Sequence, residues 1–254
     1  WAFEIQPHHP ELDYIDHTLK YYKALYEAQI PVDFISYGED LSKYKLVIAP
    51  LQFLMSEGIE NKFIDYVKQG GCLVLTMRTG VKNIDNVCMT DRHLPGRLGE
   101  LLGIQIEDYD CLRAMDMGVE FNGNAYRCEK WCDIIIPTTA ETIATYTEDY
   151  YAGTPAITVC KAGEGKAYYV GTEPDEGLME AFINLIVQER GISSLGNSPK
   201  GVELARRRTP EYDYIFALNH TDTNQELEVP QDWNPVLGNA KLAPYGVAVF
   251  KIKR

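Results

Sequence analysis

Three kinds of residue in this sequence have types suited to catalysis, and their spacing decides what each can do. Adjacent carboxylates stand at Glu107-Asp108, Glu148-Asp149 and Asp175-Glu176. A nucleophile and an acid/base partner must face one site about 5 Å apart. Neighbours in extended chain point to opposite faces, so these pairs read as solvated loop acids. A cysteine nucleophile belongs on a strained turn between strand and helix, within a Gly-x-Cys-x-Gly elbow. Cys72 opens the apolar run Cys72 to Thr76 instead of closing it, and Met77-Arg78-Thr79-Gly80 after that run holds neither Cys nor Ser. Cys72 therefore reads as core. His8, His9 and His17 could offer imidazoles, but their spacing matches no metal-ligand pattern, and Pro7 and Pro10 hold the first two in a loop. His93 and His220 are isolated and suited to local hydrogen bonds. Cys128-x-x-x-Cys132 lacks two further ligands at zinc spacing. Gly163-x-Gly165-Lys166 could cradle phosphate between a strand and a helix; it lies between two strands and reads as a hairpin turn. Asn219-His220-Thr221 fits the glycosylation triplet, which one chance occurrence explains. No catalytic residue, metal or cofactor is assigned.

The elements around these residues alternate. Leu12, Ile15, Leu19, Tyr22, Leu25 and Tyr26 predict an amphipathic helix over Glu11 to Gln29, between Pro10 and Pro31. A short strand at Val32 to Ser36 and the apolar run Lys45 to Pro50 follow, the latter suited to a parallel sheet buried on both faces. Ser56 caps a second predicted helix through Gln69, and Gly70-Gly71 ends it before the strand Cys72 to Thr76. After a loop from Met77 to His93, Pro95 opens a short helix through Leu102. Strand signals then dominate: Val119-Glu120-Phe121 and Ala125-Tyr126-Arg127 around Asn122-Gly123, then Ile134 to Ile136, Thr142 to Tyr146, Ala156 to Cys160 and Lys166 to Val170. A helix over Glu176 to Arg190 closes the region. Gly191 to Lys200 reads as a linker with a boundary near residue 195. The remainder holds strands at Val202 to Arg207, Tyr214 to Asn219, Gln225 to Val229 and Val247 to Lys251. The expected fold is an α/β domain over 1–195, an open doubly wound and mostly parallel sheet, followed by a small antiparallel β domain over 200–254. Such a sheet normally begins with a strand, yet only Trp1 to His9 precede the first helix. A first strand supplied by upstream sequence is expected, since the sheet would otherwise expose a backbone edge.

At 254 residues the chain can bury a sizeable core. A net charge of −13 disfavours nucleic acid, whose phosphates draw on clustered Lys and Arg. Arg206-Arg207-Arg208 is the basic exception and reads as a strand end pairing with local acids. No apolar run approaches the roughly 18 residues of a membrane span. The six cysteines form no paired framework, which suits thiols in a reducing cytoplasm. The chain opens at Trp1 without a leader-like segment and reads as part of something longer.

The run Tyr150 to Thr158 with Gly163 to Thr172 closely resembles the middle, trimerisation domain of family 42 glycoside hydrolases, the β-galactosidases. Tyr44 to Pro50, Tyr66 to Gly71, Thr76 to Lys82 and Thr90-Asp91-Arg92-His93-Leu94-Pro95-Gly96 resemble it too, in order along residues 1–190. Gly201-Val202-Glu203 with Asn219-His220 is similar to the family's small C-terminal β domain. The resemblance implies an amidotransferase-like fold that packs against its copies as a homotrimer. It also implies a parent enzyme hydrolysing terminal β-galactosides with retention, through two glutamates of a catalytic barrel absent here. This chain would then meet substrate only through the parent. No family catalytic residue maps onto it. The loop Arg78-Thr79-Gly80, at the carboxyl end of a parallel strand where crevices form, is expected to border the barrel mouth. Two other readings stand beside this one: a carbohydrate-binding module using Trp131, Trp233 and tyrosines as platforms, and a free-standing amidotransferase-like enzyme lacking its elbow.

Overall fold

The computed structural model describes residues 1–254 apart from positions 7, 91 and 114, so Pro7 and Asp91 of the readings above lie outside the described residues. The chain divides into two compact units, Trp1–Tyr21 with Ile35–Ile186, and Tyr22–Phe34 with Val187–Arg254.

In chain order the elements up to the second unit's strands are α1 (Ala2–Ile5), α2 (Tyr14–Glu27), β1 (Leu46–Ala49), β2 (Leu54–Met55), α3 (Glu57–Lys68), β3 (Cys72–Thr76), β4 (Lys82–Asn83), α4 (Leu98–Leu102) and β5 (Ile104–Asp110). They continue with β6 (Asp116–Phe121), β7 (Asn124–Pro137), β8 (Glu141–Tyr146), β9 (Pro155–Ala162), β10 (Gly165–Val170), β11 (Thr172–Pro174) and α5 (Glu176–Glu189). Nine strands form one sheet in the order β1-β3-β10-β9-β8-β6-β7-β11, with β5 also on β7. The α/β class is as the sequence implies. Parallel pairing joins β1 to β3 and β3 to β10. The other ladders, β10–β9, β9–β8, β8–β6, β6–β7, β7–β11 and β5–β7, are antiparallel. The difference follows from the connections: β1 reaches β3 through α3, whereas two-residue turns join β6 to β7 and β9 to β10.

Central position explains composition. All five residues of β3 are fully buried, as a strand covered on both faces requires. Leu73 and Leu75 meet Phe63, Tyr66 and Val67 of α3 and Leu98, Leu101 and Leu102 of α4. On β10 the alternation continues: Tyr169 joins that cluster, while its neighbour Tyr168 meets Phe182 of α5 with ring centroids 5.8 Å apart. Each such buried side chain contributes roughly 1.5–3 kcal/mol.

Local chemistry ends the elements where expected. The Ser56 hydroxyl accepts from the Ile59 N–H, and Asn122 (φ 51°) and Gly123 (φ 76°) both take the left-handed conformation that a tight hairpin needs. The Gly163-x-Gly165 turn sits against the end of α3. A Cβ on Gly165 would lie 2.1 Å from the Val67 carbonyl oxygen and 2.3 Å from that of Gly71, so close backbone approach explains this glycine.

Four expectations need correction. Val32 to Ser36 carries no ladder; β propensity makes no strand without a partner for its backbone. The helix expected from Pro95 begins at Leu98, after a turn, and the loop Met77 to His93 contains β4, which pairs in parallel with β2. The helix expected over Glu11 to Gln29 is Tyr14–Glu27, because Gln29 (φ 56°) turns out of it.

The second unit adds β12 (Val202–Arg208), β13 (Tyr212–Asn219), β14 (Gln225–Glu226), β15 (Asn234–Leu237), β16 (Lys241–Leu242) and β17 (Val247–Lys253). Four of these make an antiparallel sheet ordered β12-β13-β17-β15 over Val202, Leu204, Ile215, Trp233 and Phe250, while β14 pairs with β16. Gln29 binds the segment 22–34 to this sheet: its amide donates to the Val202 carbonyl (3.0 Å) and accepts from the Leu204 N–H (2.7 Å).

Candidate functional site

The turn after β3 is built to hold Arg78 in place. The Thr76 hydroxyl accepts from the Leu51 N–H (2.7 Å), the Thr79 hydroxyl donates to the Thr76 carbonyl (2.6 Å), and the Gly80 N–H donates to the Gln52 carbonyl (2.9 Å). Arg78 itself takes φ 65°, a conformation that non-glycine residues adopt at a cost. Its guanidinium carbon lies 5.2 Å from the Phe53 ring centroid, 5.6 Å from Tyr109 and 4.7 Å from Trp131. Tyr109 stacks on Trp131 at 4.5 Å and 14°, so the cation sits among fixed aromatic planes. The residue is 6% exposed, and its Nε has no hydrogen-bond partner among the described residues.

Behind this cage lies Asp133. One carboxylate oxygen accepts from the Trp131 indole N–H (2.8 Å) and the other from the Tyr169 hydroxyl (2.7 Å). Burial pushes its pKa up to about 6, against these donors and the charge of Arg78. Burial likewise lowers the Arg78 pKa, and the Asp133 charge opposes that. Lys82, also buried, hydrogen-bonds the Gln6 side chain, with its ammonium 5.7 Å from the Phe53 centroid. His8 packs edge-on to Tyr109 and Trp131; burial first, then the Arg78 and Lys82 charges, lower its pKa and keep it neutral at pH 7.

A second buried charge occupies the same unit. Glu173 of β11, 1% exposed, accepts from Lys20 Nζ (2.5 Å), Lys130 Nζ (2.9 Å) and His17 Nδ1 (3.4 Å). Burial raises its pKa, but His17, Lys20 and Lys130 outweigh that and hold it at about 2. Glu173 and His17 are sealed from solvent while the two lysines reach it in part, an ion-pair network that suits structure more than turnover.

The other residues weighed for chemistry separate in space. The three N-terminal histidines take different partners: His17 the Glu173 carboxylate, His9 the Leu112 carbonyl (2.9 Å), His8 the aromatic cage. Asp175 caps α5 by accepting from the Leu178 N–H (2.7 Å), and Glu148 pairs with Arg127 (2.6 Å). Cys72 is sealed in the core. Arg206 and Arg208 both pair with Asp213, as expected for a strand end. Trp131 is fully buried beneath Tyr109, and Trp233 packs on Phe250 in the second core, so neither offers an open platform for a sugar. The sequence reading missed Asp133 and Glu173. Phe53, Tyr109 and Trp131 come from three separate segments, and no spacing announces their meeting with Arg78.

Comparison with known proteins decides the family. Residues 1–193 match the model of the β-galactosidase trimerisation domain, and residues 201–251 match that of the β-galactosidase C-terminal domain. The chain belongs to the family 42 β-galactosidases. It is 32% identical to the β-galactosidase BgaA of Clostridium cellulovorans over 99% of its own length, and 35% identical to BgaB of a Geobacillus strain over 91%. It covers 39% and 35% of those proteins. The fold superposes on the solved β-galactosidase of Bacillus circulans sp. alkalophilus with a TM-score of 0.90, at 32% identity, over 96% of this chain and 38% of that one. A catalytic mutant of Gan42B, a family 42 enzyme of G. stearothermophilus, gives 0.93 at 27% identity, over all of this chain and 38% of that one. The matched region is thus an accessory portion of enzymes more than twice as long.

Proposed function

We propose that this chain is the assembly portion of a β-galactosidase and packs with its copies around a threefold axis. The parent polypeptide hydrolyses terminal β-galactosides with retention, through glutamates of a catalytic barrel. The observation that carries the reading is the match of residues 1–193 to a trimerisation domain, in relatives whose remaining length lies outside the match. Two structural features support it. The edge strand β1 pairs only with β3 among the described strands, and all four of its residues are half-buried, so a further parallel strand from the parent belongs on its open edge. The Arg78-Thr79-Gly80 turn, with Arg78 at φ 65°, stands at the carboxyl end of β3, where crevices form in such sheets, and this supports its bordering the barrel. A cytoplasmic location goes with six cysteines that are all free thiols.

Two measurements test the reading. Light scattering should give about three times the 28.8 kDa of one chain, and a nitrophenyl β-galactoside should not turn over. A monomer at tens of micromolar, or steady turnover by the purified chain, would overturn it.

A further inference from the structure

We propose that Arg78 is the receptor for a carboxylate carried by the parent polypeptide outside these 254 residues, with Lys82 adding charge and Phe53, Tyr109 and Trp131 fixing the guanidinium plane. The source of the carboxylate rests on the assembly reading above; the anion chemistry does not.

A cation 6% exposed, with an Nε–H that meets no acceptor among the described residues, has lost its water without replacement there. The aromatic planes offset part of that loss, since a desolvated cation–π contact is worth about 2 kcal/mol. They leave the Nε–H unmet, because ring faces cover a guanidinium's plane while its donors point along its edge. Asp133 acts on it only through space: its charge favours the Arg78 cation, its oxygens accept from Trp131 and Tyr169, and no ion pair among the described residues links it to Arg78. Elsewhere the chain pairs its half-exposed arginines, Arg97 with Glu57 and Glu60, Arg127 with Asp116 and Glu148. Here a more deeply buried arginine is held at φ 65° by a turn with three anchoring hydrogen bonds, and among the described residues it lacks such a partner.

The missing group is a carboxylate, whose two oxygens match the planar fork of an arginine. A neutral sugar would bring no charge to the unmet donor, and the ring faces it would stack on are already occupied. A free anion approaches a chain of net charge −13 against repulsion. A tethered carboxylate avoids that barrier through its high effective concentration.

Acetate is the probe. In the 254-residue protein, NMR of the Arg78 Nε–H should show a saturable, millimolar shift with sodium acetate that matched sodium chloride does not produce. The Trp131 indole N–H, on the ring that the guanidinium covers, should shift in step, and that shift should vanish in Arg78→Leu and weaken in Arg78→Lys at unchanged fold. A response to galactose instead of acetate, or none to either, overturns the anion site. The source is read in the complete enzyme. There Arg78→Leu should lower the melting temperature by several degrees, while in the 254-residue protein it should leave it unchanged or higher. Equal losses in both would assign Arg78 to local packing and overturn the tethered carboxylate. A monomeric mass in light scattering would remove the assembly reading yet leave the acetate result standing, so the two failures are distinguishable.

Discussion

Replacing Glu173 by glutamine removes the charge at the centre of the buried network while keeping its shape. The native carboxylate is held at about 2 against an ordinary 4.5, because contacts to His17, Lys20 and Lys130 outweigh the burial that acts the other way. Burial likewise outweighs the pull of Glu173 on His17 and lowers its pKa, so at pH 7 the imidazole is neutral and the balancing charges are Lys20 and Lys130. A depression of roughly 2.5 units, at about 1.36 kcal/mol each, amounts to about 3 kcal/mol. That agrees with the roughly 3–5 kcal/mol lost when one partner of a buried ion pair is removed. A carboxylate with a lowered folded pKa contributes stability that is fully present above pH 4.5 and disappears as pH falls through about 2. Urea unfolding followed by tryptophan fluorescence, with Trp233 replaced by Phe so that buried Trp131 reports the first unit, should show Glu173→Gln less stable by about 3 kcal/mol at pH 7. The gap should shrink steadily from pH 4.5 downward. A gap below about 1 kcal/mol at pH 7, or one that stays constant down to pH 2.5, would refute the assignment of the network's energy to this charge.

Asp133 carries the opposite sign: with its pKa raised to about 6, it contributes stability present below pH 3.8 and lost as pH rises through 6. Unfolding curves of Asp133→Asn should therefore lack a decline of about 3 kcal/mol between those limits that the native protein shows. Gly165→Ala drives a Cβ to 2.1 Å from a backbone oxygen, and the first unit should lose more than about 3 kcal/mol, or fail to appear in the soluble fraction. Gln29→Ala strands the Val202 carbonyl and the Leu204 N–H; hydrogen exchange along β12 should accelerate by an amount equivalent to about 2 kcal/mol, with β3 unaffected.

Most of the local structure was legible from residue order. The period of α2, the Ser56 cap, the Asn122-Gly123 hairpin and the uninterrupted apolar run of β3 each depend on neighbours within a few positions, which is where periodicity and turn chemistry act. The failures arose where a partner decides. Val32 to Ser36 has the composition of a strand, but a strand exists only through a ladder, and none reaches it.

What the sequence determined by itself was the succession of helices and strands, the absence of a nucleophile elbow, and a family resemblance along the chain. Tertiary structure alone decided the two charge centres. His17 and Glu173 lie 156 residues apart, and Arg78 meets rings from positions 53, 109 and 131. Sheet order sets those meetings by placing β7 beside both β5 and β11. The energy of a buried charge depends on the groups that surround it in space, which spacing along a chain does not encode.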